Sequence, residues 1–174
     1  MQLQEVMNKF IALEYANTSD SIEYPDAEYS HPSILKNALA HLWTRYPSLK
    51  ADESFVEFLE TYGEALVIPP PISASGTINS LWSYTSYLLY EEEDAVYHGF
   101  IIFCDVTVGD SDGPDEKITY AFKLSDMPSV YRHQNDENTM DLYVSGAALP
   151  FERYCGTFIE WLERLVQAKG KLTD

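Results

Sequence analysis

The stretch GDSDGPDE at 109–116 gathers four carboxylates and a serine, residue types that could hold a cation or act as a nucleophile. A calcium loop beginning at Asp110 takes Asp112 as its next ligand. Pro114 and Asp115 then stand where a further oxygen ligand and the turn glycine are required. Ser111 lacks the strand-to-helix elbow that exposes a GxSxG nucleophile and lies in a predicted hairpin turn. A turn built from Gly, Asp and Ser accounts for the stretch. His31, His41, His98 and His133 show no HxH or HExxH spacing, so no metal site is expected. Cys104 sits in an apolar run and Cys155 precedes Gly156 in a run read as helical; without a CxxC pair, both read as buried thiols of a reducing compartment. The chain has no Gly-rich phosphate loop and no dinucleotide fingerprint. The expectation is a protein with no catalytic residues and no cofactor.

Charge is more informative. The 174 residues carry 28 Asp and Glu against 11 Lys and Arg, a formal net charge of −17. From Ala51 to Glu116 there are 14 acidic residues and no Lys or Arg. Glu91, Glu92, Glu93 and Asp94 form one cluster, and Asp105, Asp110, Asp112, Asp115 and Glu116 make another. Such a field repels nucleic acid and anionic membrane and attracts a basic protein. Thirteen tyrosines accompany it, and Tyr87 and Tyr90 lie beside the first cluster, where an aromatic surface rimmed by carboxylates suits a cationic partner. The residues expected to meet that partner are Glu91, Glu92, Glu93, Asp94, Asp110, Asp112, Asp115 and Glu116, with Tyr87 and Tyr90. The segment after Met1 lacks a basic n-region, and no apolar run approaches ~20 residues, which points to the cytoplasm.

The elements that must position these residues follow from periodicity. Leu3, Val6, Met7, Phe10 and Ile11 predict an N-terminal amphipathic helix, and Pro32 opens a second that stops before Pro47. Asp52 or Ser54 opens a third, closed by Gly63. Residues 77–90 fit strand or helix. YHGFIIFCDVTV at 97–108 predicts a strand and KITYAFKL at 117–124 its antiparallel partner across a long acidic turn. Short strands are expected at 129–132 and 140–144, and a last helix from Pro150 to Lys169 carries Phe151, Tyr154, Cys155, Phe158, Leu162 and Leu165 on one face.

SFVEFLE at 54–60 returns as TFIEWLE at 157–163. In each, a hydroxyl residue precedes a glutamate by three positions, Ser54 with Glu57 and Thr157 with Glu160, the spacing of a capping box. The flanks do not match, so the repeat reads as one local solution used twice rather than a duplicated domain. Whether Gly156 interrupts the last helix is left open.

Three stretches together resemble the SUKH superfamily, which contains Smi/Knr-type cell-wall regulators of fungi and many bacterial immunity proteins: ESFVEFLETYGEA, GFIIFCDVTVGDSDGPDEKITYAFKL and VYRHQNDENTMDLYVSGAALPFERYCGTFIEWLERL. They cover residues 52–166 of a single 1–174 domain, leaving 1–50 as an N-terminal helical extension. The resemblance implies an α+β fold, a mainly antiparallel sheet flanked by helices, acting by binding proteins. In bacteria it implies neutralisation of a toxin, often a nuclease. A basic toxin domain is therefore the expected partner. A scaffold or regulatory module of the same fold is the alternative, with a hydrolase bearing an unrecognised site behind it.

Overall fold

A computed structural model describes residues 2–11, 22–23, 32–62, 66–67, 77–83, 96–110 and 116–168. The fold is α+β. Helices α1 (Gln2–Ile11), α2 (Pro32–Arg45) and α3 (Glu53–Tyr62) precede most of the sheet, with a 3-10 turn at Pro47–Ala51. Strands β1 (Ile22–Glu23) and β2 (Leu66–Val67) pair separately. The main sheet is antiparallel, in the order β3 (Thr77–Ser83), β5 (Phe100–Asp110), β6 (Glu116–Lys123), β7 (Val130–Gln134) and β8 (Glu152–Cys155), with β4 (Val96–Tyr97) also paired to β5. Helix α4 (Thr139–Val144) lies between β7 and β8, and α5 (Phe158–Gln167) follows β8.

The predicted hairpin forms from β5 and β6, with Val108 opposite Glu116 and Ile101 opposite Phe122. Between Ile102 and Cys104 the register shifts, leaving Phe103 as an extra residue. One sheet face therefore carries Ile101, Phe103 and Cys104 from β5 beside Ile118, Tyr120 and Phe122 from β6, all buried. Leu3, Val6, Met7 and Phe10 of α1, Phe55, Phe58 and Leu59 of α3, and Phe158, Trp161, Leu162 and Leu165 of α5 close over it. Phe103 makes ring contacts with Phe55, Phe122, Phe158 and Trp161 at centroid distances of 4.8–6.1 Å. Tilted and edge-on pairs of this kind add to the area they bury.

The two heptapeptides meet at their N-termini. Asp52, 2% exposed, caps α3 by accepting the Phe55 N–H at 3.0 Å through Oδ1. Its Oδ2 accepts the Phe158 N–H at 2.7 Å, so one carboxylate serves the first turns of both helices. The Ser54 hydroxyl donates to Asp52 Oδ1 at 2.5 Å and accepts the Ile159 N–H at 3.1 Å. Ser54 is thus inside the first turn of α3 and bridges to α5; the expected Ser54 box to Glu57 gives way because Asp52 already occupies the cap. Thr157 does cap α5, accepting the Glu160 N–H at 3.2 Å, while Glu160 Oε2 accepts from Gly156 N at 2.8 Å. Negative charge between two helix N-termini is where the peptide dipoles favour it.

Other expectations are corrected. The last helix does not begin at Pro150: residues 152–155 form β8 on β7, and the chain stays extended at Thr157 (φ −150, ψ 163) before α5 starts. Cys155 is therefore a buried strand residue. Helical spacing at Phe151, Tyr154 and Cys155 misled because the pairing of Val130 with Cys155 and Arg132 with Glu152 supplies the backbone partners instead. Residues 139–144 form a helix where 140–144 reads as strand, since β7 is already flanked by β6 and β8. The run at 97–108 is folded into a hairpin. His98 (φ 48) and Gly99 (φ 79) both adopt left-handed backbone, the two-residue turn that matches strand twist, and set Tyr97 opposite Phe100. Within 77–90, residues 77–83 form β3, and the remainder lies outside the described residues.

Candidate functional site

The second face of the sheet is differently covered. Here β6 presents Lys117, Thr119, Ala121 and Lys123, β5 presents Ile102 and Asp105, and the 135–151 connection crosses them before β8. Asp136 ties its start: Oδ1 accepts the Asn138 N–H at 2.9 Å and the Thr139 hydroxyl at 3.2 Å, and Thr139 Oγ1 accepts the Asp136 N–H at 2.9 Å. These are the local bonds that favour Asp and Thr in turns and at helix starts. After α4, Gly146 (φ 74) allows the Ala147 N–H to reach back to the Leu142 carbonyl at 3.0 Å, a helix stop that needs a left-handed residue. The segment is held at that end by the Tyr97 hydroxyl, which donates to the Ala147 carbonyl, and by His98 Nε2, 2.7 Å from the Gly146 carbonyl. Tyr97 and Tyr143 stack with centroids 5.7 Å apart.

Between this strap and the sheet lies a cleft of about 540 Å³, with Ile102, Asp105 and Thr119 among its lining residues and Asn135, Met140 and Tyr143 on the strap side. Asp105 is 3% exposed, and its Oδ2 lies 2.7 Å from Lys117 Nζ, whose side chain reaches solvent. Asn135 Oδ1 is buried without a hydrogen-bond partner. Helix α4, which lends Thr139, Met140 and Tyr143 to the cleft, has none of its six residues buried, and Met140 (69%), Tyr143 (61%) and Val144 (76%) are exposed. Asp136, Glu137 and Asp141 of the same stretch are exposed as well. The arrangement is rich in acceptors and apolar edges, which suits binding of a cation-bearing surface.

Nucleophiles are poorly placed by comparison. Burial pushes the Cys104 thiol well up, reinforced by the Asp105 charge, and pushes Cys155 up to about 11, so both stay protonated at neutral pH. His133 is buried with Nε2 3.0 Å from Thr139 Oγ1; burial lowers its pKa, opposed by the Asp136 charge and a bond to the Pro150 carbonyl. The Thr139 hydroxyl is committed to the Asp136 turn, so the pair fastens the strap to β7. His41 and His98 are exposed, His31 lies outside the described residues, and no group of three metal-ligating side chains occurs among the described residues.

Of the residues expected to meet a partner, Glu91, Glu92, Glu93, Asp94, Tyr87, Tyr90, Asp112 and Asp115 lie outside the described residues. Asp110 and Glu116 are the last residue of β5 and the first of β6, so the hairpin brings them to one end of the sheet; Asp110 pairs with Thr77. Of the cleft residues, Asp105 is legible in the sequence as part of the second acidic cluster and Tyr97 as a tyrosine near the first, neither as the lining of a cleft. Asp105 carried a signal, a carboxylate interrupting an apolar strand, which demands a partner when buried. Asn135 and Tyr143 carried none beyond a polar loop and a short apolar run. No described helix is long and apolar enough to cross a membrane. Comparison with family models, with curated proteins and with solved structures finds no match for this chain.

Proposed function

We propose that this chain is a non-enzymatic, cytoplasmic binding domain of the SUKH type, an immunity protein that neutralises a basic toxin domain, such as a nuclease, by covering it with an acidic face. One observation carries the reading: on a chain of net charge −17, Met140, Tyr143 and Val144 stand exposed in the same stretch as the exposed Asp136, Glu137 and Asp141, beside a cleft that contains the Asp105 carboxylate and Asn135. Apolar and aromatic residues that are surrounded by charge of one sign combine contact area with steering toward the opposite sign. In the sequence, the carboxylates at 91–94 and 110–116 add to the chain's negative charge. The high thiol pKa values and the turn-bound Thr139 support a binding role over catalysis.

The test is coexpression with the C-terminal domain of any large secreted protein encoded beside this chain's gene, followed by purification and kinetics at several salt concentrations. The expected result is a stable complex whose association slows as salt rises, with the toxin's activity blocked. A complex indifferent to ionic strength, or a neighbouring toxin that remains active in it, contradicts the reading.

A further inference from the structure

We infer that the cleft under α4 is a receptor for a single arginine side chain of the basic partner. The inference rests on the reading above and adds the chemical group that is recognised. A guanidinium brings five N–H donors in a plane and stacks its faces on aromatic rings. The cleft supplies the complement. Asn135 Oδ1 is a buried acceptor without a protein donor, Asp105 places a carboxylate at the floor, and Tyr97 and Tyr143 stand as stacked rings in the lining.

The protein already keeps a cation there. Lys117 Nζ sits 2.7 Å from Asp105 Oδ2 at the end of a side chain that reaches solvent, so the ammonium can swing out. A carboxylate this buried needs a positive partner, and Lys117 fills that role until a better one arrives. Arginine is the better one, because an ammonium offers three donors from one point whereas the guanidinium can address Asp105 and Asn135 together. Met140 and Tyr143, exposed and part of the lining, then exclude water around the inserted side chain, the arrangement that makes a buried arginine dominate an interface.

Lys117 therefore acts as an internal competitor, and this fixes the experiment. The full chain is titrated with capped Gly-Arg-Gly and, separately, with capped Gly-citrulline-Gly, which keeps the shape and loses the charge, and amide shifts are followed by NMR. Saturable shifts confined to Asn135, Asp136, Thr139 and Tyr143 are expected with arginine and not with citrulline. N135A should weaken the arginine response at least about fivefold, within the range for a lost bond to a charged group. K117Q should strengthen it, while K50Q, the same charge change on an exposed turn outside the cleft, should leave it unaltered. Equal responses to both tripeptides, shifts scattered over the acidic surface, or equal gains in K117Q and K50Q overturn the arginine site. A cleft that ignores the tripeptide beside a toxin that still binds with salt dependence overturns this inference alone. A tripeptide response without toxin binding overturns the partner and keeps the site.

Discussion

The two faces of the sheet are built to opposite specifications. On one, three helices converge on Phe103, Tyr120 and Phe122, and the starts of α3 and α5 share the buried Asp52 carboxylate. On the other, a strap carries a helix with no buried residue, fastened by side-chain bonds at its ends over a cleft. The difference teaches where stability and recognition are divided. On the closed face the Asp52 carboxylate is saturated by protein donors, and its loss propagates; on the open face Asn135 Oδ1 has bonding capacity left over beside the cleft.

The sharpest way to break that division is Asp52→Ala. It leaves the N–H groups of Phe55 and Phe158 and the Ser54 hydroxyl without their acceptor in a buried place, so stability to urea should fall by about 3 kcal/mol or more. A loss under ~1 kcal/mol would show that the two helix starts do not depend on one another. On the open face, Met140→Ser with Tyr143→Ser should cost no more than about 1.5 kcal/mol of stability, the range for the lost Tyr97–Tyr143 ring pair, yet weaken binding of the basic partner by about tenfold or more. A larger loss of stability, or binding left unchanged, would erase the contrast between the faces.

Thr157→Ala should cost about 0.5–2 kcal/mol, the usual range for a lost cap. Ser54→Ala should cost a similar amount for a different reason, and thermodynamic coupling distinguishes the two. In the Asp52→Ala background the Ser54 change should lose much of its effect, because the pair shares a bond at 2.5 Å. Full additivity would place Ser54 outside the shared node.

The smallest expected effect concerns His133, at the root of the strap. Burial holds it below its ordinary value of 6.5, so the unfolded chain takes up the proton first. Its contribution is fully present above the ordinary value and is lost as pH falls through the depressed folded one. Urea unfolding from pH 7.5 downward should show a slope that His133→Gln removes, with the Asp136 charge and the Pro150 carbonyl moderating its size. An unchanged slope in the variant would assign the pH dependence to carboxylates.

The chain by itself determined much of the closed face. Leu3, Val6, Met7 and Phe10, and Phe55, Phe58 and Leu59, announce their helices because burial at 3.6-residue spacing is written locally. The β5–β6 hairpin is equally legible, since two alternating runs meet across turn residues. Net charge, too, is a sum over residues and needs no fold. Tertiary structure alone decided the rest. Whether 152–155 is strand or helix depended on β7 offering free backbone partners, and whether Ser54 caps α3 depended on Asp52 and on Phe158, 106 residues away from it, arriving at one carboxylate. The cleft was least legible of all. The β5–β6 hairpin brings Lys117 to Asp105, but Asn135 and Tyr143 join them only when the strap folds across the sheet, and no local periodicity records which side chains a returning connection will bring together.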